Sequence, residues 1–395
     1  VASYTETQVD AYFANGLSIA VYDADNNRID YVWSKNETGD ISFTQYHYDS
    51  LGKLVYTVSA ETRSAVTGLS GVTVENVDGL SESDIDSLLA AGMTISVYDT
   101  VDNRVDHVWT RDASGEASFT QYNYDSSGKL VYTITGSSRA EVESVTGLSP
   151  MTIDSLDETD MESIVASGMS IAVYDTNENR VDHTWARSDE GKLTFTQYHY
   201  DAQGILRFTV TGDIRADVEG LTGIAPDTVD SLTTAQIESI LPSGMSLSVY
   251  DTVNNRIDHV WSRSDSGQTS FTKYYYDTDG TLIYTVSDDT RSSVESLTAI
   301  TVDNVSGLTQ SDIETHAASG MSIAVYDTDS KRIDHVWTRS ESGDITFTGY
   351  EYDSLGKLVY TLTGNRRSDV ENATGITVSN ASSLDEADVQ SMLDD

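Results

Sequence analysis

There is no cysteine among the 395 residues, and there are only three prolines. The first absence excludes disulfides and thiolate metal sites and leaves the redox compartment open. Positive charge is scarce: 23 Lys and Arg stand against 64 Asp and Glu, a formal net charge of −41. So acidic a surface repels polyanions, which excludes nucleic acid as a natural partner, and anionic membranes would need bridging cations. It suits a saline medium, where screening cuts the reach of self-repulsion to about 10 Å or less. No apolar run approaches the roughly 18 residues of a membrane span. The N-terminal VASYTETQVD lacks the basic region and the apolar core of a signal peptide. With 38% hydrophobic residues the chain has the composition of one that folds.

What is present is repetition. The phrase VYDTVDNRVDHVWTR at 97–111 has four further versions, among them VYDADNNRIDYVWSK and VYDTDSKRIDHVWTR. Trp33, Trp109, Trp185, Trp261 and Trp337 fall at a constant step of 76 residues, as do Gly16, Gly92, Gly168, Gly244 and Gly320. A register without insertions implies that unit length matters to how units join. The reading is a tandem array of five modules, at 3–78, 79–154, 155–230, 231–306 and 307–382. The closing LDEADVQSMLDD matches LSESDIDSLLAAG, with Val389 at the place of Ile85. Residues 383–395 are therefore expected to be the opening helix of a truncated sixth module, or a cap.

Within a module the hydrophobic period changes. SESDIDSLLAAG has a Ser/Asp-rich start, Ile85, Leu88 and Leu89 at helical spacing, and Gly92 to close it. MTISVYD alternates as a strand, and RVDHVWTR, EASFTQYNYD and KLVYTITG supply three more. TVDN, DASG and SSG read as turns, and SRAEVESV as a second helix. The rest, TGLSPMTIDSLDE, reads as a linker with at most a brief extended piece. The fold class is α+β, each module being helix, four-stranded antiparallel meander, helix. The simplest pairings put Tyr98, His107, Trp109, Tyr122, Tyr124 and Tyr132 on one face, and Met93, Ile95, Val97 and Phe119 on the other. Two apolar faces exceed what short helices can cover, so the uncovered one is expected to meet a neighbouring module, a further copy of the chain, or a ligand.

Four sets of side chains are candidates for chemistry. Asp23, Asp25 and Asn27 begin like a calcium loop, but Val101 and Val253 replace Asp25 in other copies and no distal glutamate follows. Asp106–His107 recurs in four modules, while the first has Tyr31 at the histidine position, which a general base does not tolerate. Neighbours on a regular strand point to opposite faces, so this pair is not expected to join. The aromatic set Tyr98, Trp109, Tyr122 and Tyr132 suits packing between units, with glycan stacking as the alternative. Arginines recur at the positions of Arg104, Arg111 and Arg139. In so acidic a chain their fixed placement points to directional ion pairs, and Arg104 and Arg139 are expected to anchor unit contacts through acidic partners. No catalytic residue and no resident cofactor is expected.

The piece YNYDSSGKLVYTITG, through Tyr124, Asp125, Gly128, Leu130 and Tyr132, resembles the hairpin of the YD repeats of large bacterial secreted and surface proteins. The same positions recur as Tyr352, Asp353, Gly356, Leu358 and Tyr360. The array as a whole resembles the modular stalks of such proteins. That resemblance implies an extracellular or cell-surface structural protein, a rod, stalk or filament, whose partners are its own modules and further copies of itself. The alternative is an adhesin whose modules bind calcium or glycan.

Overall fold

The computed structural model describes residues 4–36, 39–354, 356–373 and 376–381. The helix expected at 383–395 lies outside the described residues. The chain divides into two compact units: residues up to Gln197 together with Asp213–Arg215, and Tyr198–Gly212 together with the residues from Ala216 onward.

Element order follows the sequence period. α1 (Glu6–Tyr12) precedes β1 (Ser18–Asp23), β2 (Arg28–Lys35), β3 (Ile41–Tyr48), β4 (Leu54–Ala60) and α2 (Arg63–Gly68). α3 (Glu82–Leu88) precedes β5 (Met93–Asp99), β6 (Arg104–Arg111), β7 (Ala117–Tyr124), β8 (Leu130–Gly136) and α4 (Arg139–Ser144). α5 (Glu158–Ile164) precedes β9 (Ser170–Asp175), β10 (Arg180–Arg187), β11 (Leu193–Tyr200), β12 (Leu206–Gly212) and α6 (Arg215–Glu219). α7 (Thr234–Ile240) precedes β13 (Met245–Asp251), β14 (Arg256–Arg263), β15 (Thr269–Tyr276), β16 (Leu282–Asp288) and α8 (Arg291–Ser296). α9 (Gln310–His316) precedes β17 (Ser322–Tyr326), β18 (Ile333–Arg339), β19 (Ile345–Tyr352), β20 (Leu358–Gly364) and α10 (Arg367–Glu371). The linkers carry short 3-10 turns such as Val77–Gly79 and Ile153–Ser155, not an extended piece.

Local chemistry accounts for these elements. Helix α3 starts in a capping box: the Asp84 amide donates to the Ser81 hydroxyl, and the Ser81 amide donates to the Asp84 carboxylate at 2.8 Å. Seven residues with one buried contact, Ile85, would not hold a helix in water alone, so packing on the sheet maintains it. In the β5–β6 turn Asn103 takes φ 53°, and in the β7–β8 turn Gly128 takes φ 83°.

All strand pairs are antiparallel, and within each unit strands pair in sequence order. In the first unit the order runs from β1 through β10 to the Leu193–Gln197 part of β11. In the second it runs from β12 to β20. Successive sequence repeats therefore join edge to edge, and not by laying one sheet face on another as the two-face reading implied. β8 meets β9 through Tyr132↔Val173, Thr133↔Ala172, Ile134↔Ile171 and Thr135↔Ser170. The joints β4–β5, β12–β13 and β16–β17 repeat that register position for position.

Two β-bulges displace the simple pairings in the second repeat. Asp106 is the extra residue between Val97↔His107 and Tyr98↔Val105, and Val131 is the extra residue between Asn123↔Tyr132 and Tyr124↔Leu130. Tyr122 consequently faces Thr133, not Tyr132. Across β5 to β8, Ile95, Trp109, Phe119 and Gly136 align on one face with Val97, His107, Gln121 and Ile134. The helices cover that face: Val142 of α4 packs where a Cβ on Gly136 would lie 3.1 Å away. The opposite face carries Thr94, Ser96, Thr110, Ser118, Thr120, Thr133 and Thr135, with Val108 and the tyrosines Tyr98 and Tyr122. The sheet thus has one dry apolar face and one hydroxyl-rich face, not two apolar ones.

Candidate functional site

Trp109 is fully buried beneath the helices, its ring edge-on to Phe119 at 4.8 Å between centroids. His107 packs on the same Phe119 ring at 5.1 Å, and in the first repeat Tyr31 takes the equivalent place on Phe43 at 5.2 Å. Tyr132 is also buried on this side, next to Ile134. Tyr98 and Tyr122 are half-buried on the other face, where burial, with the neighbouring Tyr174 and Tyr98 phenols, raises the Tyr122 pKa. Tyr46 is raised by burial and by Tyr98, so a row of phenols runs along alternate strands, Tyr46, Tyr98, Tyr122 and Tyr174. The four aromatic candidates therefore split between two faces. The bulge at Val131 separates Tyr132 from Tyr122, the bulge at Asp106 separates Trp109 from Tyr98, and the pairing of Arg111 with Ala117 sets Trp109 opposite Phe119 and so on the face away from Tyr122.

The bulge at Asp106 has a second effect. It turns consecutive side chains the same way, and His107 Nδ1 lies 2.8 Å from Asp106 Oδ2. The expectation that the pair could not meet fails for that reason. The geometry recurs at Asp182–His183, Asp258–His259 and Asp334–His335, at 2.6 to 2.8 Å. Hydrogen bonding from His107, helped by Arg139, holds the Asp106 carboxyl below its ordinary range. His107 Nε2 is buried without a protein partner, as is Trp109 Nε1. The imidazole is buried beneath helices beside a Phe ring, where it offers packing and one fixed hydrogen bond.

Among the described residues, one group of three side chains, Asp78, Asp106 and His107, brings possible metal-ligand atoms within 4.8 Å of one another. A dication there would face the Arg139 guanidinium, whose Nη1 donates to the Asp78 carbonyl oxygen. Ser306, the last residue of the fourth module, stands at the Asp78 position one repeat before the Asp334–His335 pair. At the first calcium candidate, Asp23 accepts the Asp25 amide at 2.9 Å and the Asn26 side-chain amide at 2.6 Å. Those local bonds lower its pKa. Asp99, Asp175, Asp251 and Asp327 accept the equivalent amide, two residues on, at 2.7 to 3.1 Å. The recurring aspartate builds a turn, and its oxygens serve the backbone.

The arginines act mainly on carbonyls. Arg139 pairs with Glu143 of its own helix at 2.6 Å and stacks over Phe119 at 5.5 Å, while its long-range partner is the Asp78 carbonyl. Arg291 and Arg367 reach Asp230 O and Ser306 O in the same way, each at 2.6 Å. Arg104 pairs locally with Asp102 at 2.9 Å and covers the Tyr124 ring at 4.4 Å, inside one repeat. The acidic partners expected from the sequence are thus local, and the links between elements run to backbone oxygens. The stronger tie is the remaining position. Arg111 Nη1 donates to Asp86 O at 2.9 Å and Leu89 O at 2.5 Å, closing the C-terminus of α3 onto the sheet. Arg187, Arg263 and Arg339 repeat this, and Lys35 does so toward Asp10. The signal available in the sequence was a cation at fixed distance beyond a helix whose last turn has no basic residue.

Clefts on the helix side are open and lined by polar groups, for example Ser81, Ser138, Arg139 and Glu143. Among the described residues no helix is long and apolar enough to cross a membrane.

No protein-family model and no curated protein matches the chain. Among solved structures it is similar to a chain of TcdB2-TccC3-TEV, at 11% identity and a TM-score of 0.22, over 90% of this chain and 15% of that one. A chain of TcdB2-TccC3 gives 12%, 0.23, 88% and 18% in the same terms. A porin-like protein from Bacteroides uniformis ATCC 8492 gives 13%, 0.19, 62% and 82%. This chain spans less than a fifth of the first two. Scores of this size mark a distant likeness and carry no argument about what this chain does.

Proposed function

We propose that the chain is a non-enzymatic structural repeat protein of the extracellular space or cell surface, working as a rod, stalk or filament segment. The observation that carries this reading is the joint between repeats, the same four-residue strand register formed four times over. Each joint adds main-chain hydrogen bonds and apolar burial without a new kind of interface, which is how an array gains length at constant chemistry. The acidic surface keeps such an array soluble in salt. Small-angle scattering on the full chain and on arrays shortened by whole repeats tests it. A constant loss of maximum dimension per repeat removed is expected; a dimension that does not change with repeat number refutes it.

The adhesin alternative has less support, because the recurring turn aspartates are occupied by their own backbone. Chelation with EDTA should leave the melting temperature unchanged, and a large drop would revive a structural calcium role.

A further inference from the structure

The sheet face opposite the helices carries no charge. Among the described residues, from β1 to β10 and from β12 to β20, every position paired on that face is Ser, Thr, Tyr, Ala, Val, Ile or Leu. One row runs Ser96, Val108, Thr120, Thr135 and Ser170 across five strands. The chain has 64 acidic and 23 basic residues to place, and they stand elsewhere. A solvent face of an antiparallel sheet accepts charge, and opposite charges paired across strands would stabilise it. Keeping it neutral in a chain of net charge −41 selects for a neutral partner.

The half-buried tyrosines of this face are in register. In the first unit Tyr46, Tyr98, Tyr122 and Tyr174 stand on β3, β5, β7 and β9. In the second, Tyr250, Tyr274 and Tyr326 hold the same positions on β13, β15 and β17. Tyr98 and Tyr122 are level, and at each joint the row climbs two residues along the strands. Four strands across and two residues along carry the row about 20 Å per repeat. The hydroxyls beside it keep bonding capacity. Thr120 and Thr135 share one hydrogen bond at 2.9 Å, and Thr44 and Ser59 share one at 2.8 Å, so each pair retains an O–H and lone pairs. Arg104 lies at the turn end of the face, over the Tyr124 ring, and is paired with Asp102 at 2.9 Å.

We infer that this face binds an uncharged, extended, β-linked glycan lying along the tyrosine row. A pyranose with equatorial hydroxyls has apolar C–H faces and a hydroxyl rim. The phenol rings meet the first, and the Ser and Thr hydroxyls meet the second. About four sugar units of such a chain span the step of about 20 Å from one repeat to the next, so the same contacts recur and their weak affinities multiply. A polyanion finds no cation along the row and is repelled by the chain as a whole. A second copy of the chain would bring another net charge of −41 to the contact. The inference goes beyond the structural reading: it gives the array a polymer to hold, and it needs no calcium.

Co-sedimentation of the full chain with microcrystalline cellulose and with chitin tests it. Retention on at least one is expected, changing little between low and high salt. Hydroxyethyl cellulose should compete for it, and carboxymethyl cellulose, the same backbone bearing carboxylates, far less. Tyr98→Ser with Tyr122→Ser should weaken binding about tenfold. Hydroxyl-radical footprinting of the wild type covers loss of folding in the variant. Hydroxyethyl cellulose should protect Tyr98 and Tyr122 and leave Tyr12 of α1, which is 69% exposed, reactive. No retention on either particle, binding that falls steeply with salt, or protection away from Tyr98 and Tyr122 overturns the inference. So does protection of the two tyrosines by raised protein concentration alone, which assigns the face to a second copy. Arrays that hold no glycan but lose a constant length per repeat removed would sink this inference and leave the structural reading standing. Arrays that hold glycan but do not change in dimension would do the reverse.

Discussion

The two faces of the sheet are built from alternate residues of the same strands and divide the work. On the helix-covered face each repeat buries a Trp, a Phe and a His or Tyr, with Val and Ile beside them. On the other face hydroxyls pair across strands, Thr44 with Ser59 and Thr120 with Thr135 at 2.8 and 2.9 Å, among half-buried tyrosines. The first face therefore carries most of the folding free energy, since that scales with apolar area removed from water. The second is water-tolerant and contributes cross-strand pairs worth at most about 1 kcal/mol each. The comparison teaches that an aromatic count does not measure how greasy a face is. A tyrosine at 98 or 122 belongs with the hydroxyls around it, whereas a tyrosine at 132 belongs to the core.

The largest effect should come from emptying the dry face. Trp109→Ala is expected to cost about 3–5 kcal/mol, and Tyr122→Ala, at the centre of the other face, clearly less. Paired chemical denaturation curves check this, and equal losses would break the division of labour.

The second test uses an irregularity of the dry face. Asp288 stands where the other repeats have Ala60, Gly136, Gly212 and Gly364, and it is buried with Oδ2 unpartnered. Burial raises its carboxyl pKa above the unfolded value, so the folded chain holds that proton more tightly. The penalty is present above the folded pKa and is relieved as pH falls below the ordinary carboxyl value of about 4. Asp288→Gly should raise stability by about 1–2 kcal/mol at neutral pH, with the gain shrinking toward pH 4. A gain that does not change with pH would mean that shape alone matters there.

Asp106 has the opposite sign. Its pKa is depressed by His107, so its contribution is present above the ordinary carboxyl value and is lost as pH falls through the depressed one. Asp106→Asn should lower the melting temperature at pH 7 and narrow the gap to wild type in acid. The smallest effect is expected for Thr120→Val, within about 1 kcal/mol, because the loss of one partly exposed hydroxyl pair is offset by a good strand former.

The sequence made the repeat, the strand count, the turns and the capped helices legible, because each leaves a local mark: a period, a Ser at an N-cap, an Asn or Gly at positive φ. It hid the facing. A bulge adds one residue without a compositional signature, and adding one residue reverses every side chain beyond it. Tyr122 and Tyr132 were separated, and Asp106 and His107 were brought together, by that single device. Joints between repeats were equally silent, since strands at the end of one unit and the start of the next read alike whether they pair or not. The carbonyl partners of Arg111 and Arg139 were out of reach because main-chain oxygens leave no trace in a sequence.

Pairing in strict sequence order has a genetic consequence. Deleting or duplicating one whole 76-residue stretch removes or adds one seam, and the flanking strands meet again with nothing orphaned. Unequal crossing-over between such similar copies would yield a foldable product at almost every event, so array length can drift between lineages far faster than the seam that holds it together.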